Sequence, residues 1–279
     1  MSAPQPASTP AASGAATWHW WLPGLLALVA LLSDFAPLQR LDLLTFDLIA
    51  TITPATRQKP EAVIVAIDEA SLQQLGRWPW PRRTHAQLLS ALQPAAPAAI
   101  AFAILFDQPD TLDSAGDTAF ANAIKAAGRV ILPVAPTLDA SGDNLRALLP
   151  AAHLATAAAG LGHVDVEIDP DGRLRRIYLR AGIGSREWPT LPLAARELQH
   201  PVATLPGLRA NGLTNTQAGG ERSAWRRDAE NLLHLDPTQT IEHVSYADLL
   251  HDPALALRLR NRPVFVGITA AGISGDFAT

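Results

Sequence analysis

The sequence predicts an α/β fold: a mixed, mainly parallel sheet flanked by helices, with an antiparallel hairpin, preceded by one transmembrane helix. Three observations carry this expectation. Apolar, β-branched runs (EAVIVAID, AAIAFAILF, VILPVAP) alternate with stretches of helical periodicity, as in βα units. Two strand-like segments flank Asp169-Pro170-Asp171-Gly172, which is strong turn chemistry. Near the N-terminus, WHWWLPGLLALVALL carries no ionisable side chain except His19.

Composition narrows the function classes. A chain of 279 residues with 48% hydrophobic side chains can bury a sizeable core. Its 22 basic and 26 acidic residues give a net charge of −4 without a long basic run, which excludes an electrostatic grip on nucleic acid. The absence of cysteine excludes disulfide scaffolds, thiolate nucleophiles and Cys-type zinc sites, and an oxidising compartment does the chain no harm.

Residues 1–17 are mostly Ala, Pro, Ser and Thr without apolar periodicity, and read as a disordered tail. Residues 18–37 read as a membrane helix, since a span takes about 20 residues; Trp18, Trp20 and Trp21 crowd one end and Pro23 falls in the first turn. A cleaved signal needs a basic leader and a small-residue cleavage site, and neither is found. Arg40, Arg57 and Lys59 follow the span, so charge bias taken alone keeps the rest cytoplasmic. Residues 38–279 form the main domain.

Within that domain, Leu41 to Ile49 has helical spacing and reads as a stalk. Glu61 to Asp68 is a strand feeding a helix, Glu69 to Leu75, stopped at Gly76. Pro79 and Pro81 stiffen the connection to a helix over Arg82 to Leu92. Ala98 to Phe106 is apolar on both faces, as a central strand covered by helices requires. An acidic loop, Asp107 to Asp117, leads to a helix over Thr118 to Ala127, a strand from Val130, and an Ala- and Leu-rich helical stretch towards Ala159. GLGHVDVEI and LRRIYLRAG form the expected hairpin. A helix over Leu191 to Gln199, a long loop from His200 to Arg222, a helix over Tyr246 to Leu250 and a buried strand over Arg262 to Ile268 complete the domain. The helix that should cover this strand is expected beyond Thr279.

Known chemical motifs are absent: no GxGxxG after a strand, no GxxxxGK[ST], no GxSxG and no HExxH. Glu167, Asp169, Asp171 and Gly172 imitate the start of a calcium loop, but its twelfth position is Tyr178 rather than Glu. No metal or cofactor is assigned. His85, His163 and His243 lie far apart and read as ordinary surface or half-buried residues.

The informative constellation lies at strand ends, where parallel sheets bind ligands because the loops diverge. Asp68, Glu69, Ser71, Asp107 and Thr269 fall there, and Trp78, Trp80 and Arg82 add surfaces able to hold a ring or an anion. The same residues also have a structural use, Asp68 or Ser71 as helix caps and the Trp-Pro segment as a rigid lid.

Four blocks, VIVAIDEASLQQLGRWPWPRRTHAQLL, AIAFAILFDQPD, LGHVDVEIDPDGRLRRIYLRAG, and VSYADLL with RPVFVGITAAGISGDFAT, together resemble the second type of CHASE domain. These are the cyclase/histidine-kinase-associated sensory extracellular domains of bacterial receptors. The resemblance runs from Leu41 to Thr279 and implies one N-terminal membrane helix, an extracytoplasmic α/β sensor, and downstream spans leading to an effector absent from this chain. It also implies a periplasmic domain, against the charge bias. LGHVDVEIDPDG and YLRAG look most like the histidine-kinase versions, with nucleotide cyclases close behind and Ser/Thr kinases a further alternative.

Members commonly carry an acidic residue where this sequence has Ala103, a position expected to be buried near Asp68 on the adjacent strand. The expected partners are the membrane, an unknown small-molecule or protein stimulus, and a second copy in a homodimeric receptor. Two other classes compete with a sensor. A membrane-tethered enzyme has only Asp68, Glu69 and Asp107 for acid/base chemistry, and an assembly domain would dock its Trp-Pro lid on a partner protein.

Overall fold

The computed structural model describes residues 23–24, 61–142, 144–169, 171–200, 224–233 and 241–271. The chain divides into two compact units, Met1–Arg57 and Gln58–Thr279. In the first, Pro23 and Gly24 are helical; the remainder of the expected tail, membrane span and stalk helix lies outside the described residues, as does the loop from 201 to 222. No helix among the described residues is long and apolar enough to cross a membrane.

The second unit opens with β1 (Val63–Ile67), whose apolar run feeds α1 (Glu69–Leu75) through the cap residue Asp68. Gly76, at φ 88°, ends that helix. Then follow α2 (Arg82–Leu92), β2 (Ala99–Phe102), α3 (Ser114–Ala127) and β3 (Val130–Leu138). β4 (Leu145–Leu148), α4 (Ala152–Ala157) and β5 (Gly160–His163) precede an antiparallel group of β6 (Arg176–Ile183) and β7 (Arg186–Pro189). The described chain ends with α5 (Leu191–Gln199), β8 (Trp225–Leu232), β9 (Glu242–Ser245), α6 (Tyr246–His251), α7 (Pro253–Ala256) and β10 (Pro263–Ile268).

Two sheets result. The larger runs β4-β3-β2-β10-β1-β9, parallel except for β4, with β5 pairing the first half of β3; the smaller is the antiparallel β7-β6-β8. The main core lies on one face of the large sheet, where Val63, Val65, Phe102, Val264 and Val266 meet Leu88, Leu89, Phe120, Ile124 and Tyr246. On the other face, Ala99, Ala101 and Ile131 receive Leu191, Ala194 and Ala195 of α5. Small residues let that helix come close: a Cβ on Gly162 would lie 2.8 Å from Leu191 Cα.

Three expectations are corrected. The strand expected over Ala98 to Phe106 is regular only from Ala99 to Phe102, and Ile104 and Phe106 are buried from irregular backbone. The helical stretch expected towards Ala159 includes strand β4 and a helix of only six residues. The segments around Asp169-Pro170-Asp171-Gly172 do not pair as a hairpin: β5 joins β3 in the large sheet and β6 joins the small one, leaving a single bridge, Glu167 to Arg176. The last strand is central, between β2 and β1, with Val264 and Val266 buried in the main core; the helix expected after it lies outside the described residues.

Candidate functional site

At the end of β1, the chain turns into α1 around Asp68. Its Oδ1 accepts hydrogen bonds from the Ser71 amide (2.8 Å), Ser71 Oγ (2.6 Å) and Ser245 Oγ (3.1 Å). Ser71 is fully buried, and its Oγ in turn accepts from the Ala247 amide at 3.1 Å, so one carboxylate joins the start of α1 to the start of α6. Burial pushes the Asp68 carboxyl upward, but the bonds from Ser71 and Ser245 outweigh it and hold the group below its usual range. Glu69 accepts from the Ala271 amide at 2.8 Å. Thr269 is exposed at the end of β10, with its amide and that of Ala270 directed at Ile67 O, each at 3.1 Å.

The Trp-Pro segment packs inward. Trp80 is buried, donates from Nε1 to Gly76 O at 2.9 Å, and sits 5.0 Å from the Tyr246 ring. Trp78, half-buried, meets Trp80 and His85 edge-on at 5.3 and 5.9 Å. His85 lies within a cage of Phe102, Phe106, Phe120 and Tyr246, where burial, helped by Arg82, pushes its pKa down to about 3. Both tryptophans thus pack over the core beside His85 and Tyr246.

Arg82 starts α2 and stacks over the Phe106 ring, 4.4 Å from its centroid. Its guanidinium donates to Gln108 O at 3.0 Å and lies 3.7 Å from Asp117 Oδ1. Burial lowers the Arg82 pKa against the opposing pull of Asp117, Asp110 and Asp107. Asp117, on α3, is only 5% exposed; His153 Nε2 lies 2.8 Å from its Oδ2, which also accepts from the Asp110 amide at 3.2 Å. Asp107 itself is exposed and acts on Arg82 through its charge alone.

The predicted residues therefore fall into two groups. Asp68, Glu69, Ser71 and Thr269 gather where β1 and β10 end; Arg82 and Asp107 belong to a separate cluster after β2, with the Trp78–Trp80 lid beside His85 and Tyr246. Most of their polar atoms with short contacts are spent inside the fold. Ser245, Tyr246, His153 and Asp117 complete the clusters and were not predicted; Asp117 sits in the first turn of α3, and its acidic character there was the available signal.

Two further expectations change. Ala103 is exposed rather than buried, and β10 lies between its strand and that of Asp68. His85 and His163 are both 1% exposed, so neither is a surface or half-buried residue. Around His163, Asp165 takes a bidentate contact from Arg227 (2.6 and 3.0 Å) and a bond from Trp225 Nε1 at 2.8 Å. Arg227 also approaches Glu167, which accepts from the Tyr178 hydroxyl. Burial pushes the His163 pKa down to about 4 against the pull of Asp165 and the Tyr178 backbone. Among the described residues, no group of three or more acidic or histidine side chains is placed to hold a metal ion.

Residues 24–279 match the family model described as the CHASE2 domain. No curated protein and no solved structure matches the chain. The chain belongs to the CHASE2 family, whose members are extracellular sensory domains of cyclase- and kinase-type receptors, and not catalytic domains.

Proposed function

We propose that this CHASE2 chain is the input region of a bacterial membrane receptor with a histidine-kinase effector, its main domain held in the periplasm by a retained helix at residues 18–37. The observation that carries this reading is the family match over residues 24–279, which takes in nearly all of the chain. The geometry supports a sensor over an enzyme. Asp68 and Glu69, two of the three acids available for acid/base work, are occupied as a helix cap and a main-chain acceptor.

Reporter fusions after Thr279 test the topology: alkaline phosphatase should be active there, whereas a β-galactosidase-positive, phosphatase-negative result overturns the periplasmic placement. Incubating the full-length gene product with labelled ATP tests the effector. Acid-labile phosphohistidine is expected; acid-stable phosphorylation or cyclic nucleotide formation assigns a different receptor class.

A further inference from the structure

We propose that the groove between β4 and the β6–β7 turn is a binding site for a small organic anion with an aromatic or branched apolar part. The groove, about 360 Å³ in volume, is lined by Leu145, Arg146, Leu149, Ile183, Arg186 and Trp188. That volume lies within the range of about 300–1,000 Å³ typical of small-molecule sites. Its charge is one-sided. Among the described residues, neither Arg146 nor Arg186 has a carboxylate partner, whereas most other described arginines are paired, including Arg83 with Asp113, Arg180 with Glu197 and Arg258 with Glu242. Glu187, next in sequence to Arg186, points to the opposite face of β7 and lies 3.6 Å from Arg180. Two guanidiniums on one small apolar groove match a carboxylate or phosphate, and Trp188 and the aliphatic residues match a ring or branched chain.

The apolar wall is held in place. Trp188 stacks on Trp225 with centroids 6.1 Å apart and planes 13° from parallel, and Trp225 is anchored through Nε1 on Asp165, itself clamped by Arg227. The groove also joins two sheets, since β4 belongs to the large one and β7 to the small one. A ligand touching both would favour one arrangement of the sheets over another, which is what an input domain must do. The proposal deepens the sensor reading above and rests on it for its biological meaning.

The test is a ligand-observed NMR titration of the full chain in detergent with indole-3-acetate, and with indole-3-acetamide as its uncharged isostere. Saturable binding of the acetate is expected, weakened about tenfold or more by Arg146→Ala, by Arg186→Ala and by loss of the probe's charge. Arg83→Ala, exposed and remote from the groove, should leave it unchanged. No saturable binding by the wild type, or binding that both groove variants retain, overturns the proposal. The sensor reading fails separately: arginine-dependent binding that leaves the full-length receptor's output unaltered at saturation keeps the groove as an anion site and removes its signalling role.

Discussion

His85 Nδ1 and the Tyr246 hydroxyl lie 2.9 Å apart in the core, 161 residues distant in sequence, and the same hydroxyl lies 3.2 Å from Thr84 O. This pair fastens α6 to the first turn of α2, beneath the Trp80 lid. Burial raises the Tyr246 pKa, so the hydroxyl stays protonated, and depresses that of His85, so the imidazole stays neutral. One hydroxyl thus bridges the Thr84 carbonyl and the imidazole nitrogen.

Tyr246→Phe removes that hydroxyl while keeping the ring. It should destabilise the domain by about 1–3 kcal/mol, because a buried imidazole nitrogen loses its partner. Urea denaturation of the two proteins measures this. A loss below about 0.5 kcal/mol would mean water or a neighbour replaces the hydroxyl.

The Asp68 cluster is read here as a cap. Asp68→Ala should cost about 0.5–2 kcal/mol, and Ser71→Ala should be non-additive with it, since both act on one hydrogen-bonded network. A double-mutant cycle by denaturation gives the coupling. Independent effects would show that Asp68 is stabilised by something other than Ser71.

Acid should weaken the fold through two buried imidazoles. His85 and His163 have folded pKa values of about 3 and about 4, against 6.5 for an ordinary histidine, so the unfolded chain binds more protons between these limits. Their contribution is complete above pH 6.5 and is lost as pH falls towards about 4 for His163 and about 3 for His85, with a slope of about 1.4 kcal/mol per pH unit for each group fully in its window. Replacing His163 by Gln should lower the slope by about one proton. An unchanged slope between pH 5 and 6 would show that His163 is not neutral and buried in solution.

Much of the large sheet was legible because its strands are apolar. β1, β2 and β3 announce themselves as Val, Ile and Ala runs, and α1, α2 and α5 match their expected spans through Asp68, Gly76 and clear helical spacing. Of the small sheet only β6, within LRRIYLRAG, was. β8 reads WRRDAENL, whose Arg227 pairs with Asp165 and Glu167 and whose Glu230 pairs with Arg176, partners invisible in a local window. The Asp169-to-Gly172 turn was recognised as a turn, but its flanking strands could not be assigned to separate sheets. The carboxylates that imitate a calcium loop are held by Arg175, which reaches Asp169 at 2.8 Å and Asp171 at 2.6 Å; the bond from Arg175 takes the Asp171 pKa down to about 2. In the candidate site, Asp68 was legible from its place at the end of β1, and Arg82 from the Trp-Pro segment that precedes it. Ser245 and Tyr246 were not, because only the parallel pairing of β9 with β1 brings them there.

Ala103, where the resemblance led to an acidic residue being expected, offers the last test. Ala103 is exposed just past β2, its amide donates to Val266 O at 2.8 Å, and a Cβ on Gly267 would lie 3.6 Å from its own. An aspartate there would stand beside β10, and β1 with Asp68 is a further strand away; at about 4.8 Å per strand the two carboxylates would be about 10 Å apart. Charges at that distance near water are largely screened. Ala103→Asp should therefore change stability by less than about 0.5 kcal/mol, and Asp68→Asn should cost the same in either background, within about 0.5 kcal/mol. A coupling above about 1 kcal/mol in this cycle would show the two carboxylates facing each other, and would restore the two-carboxylate arrangement that the strand order β2-β10-β1 separates.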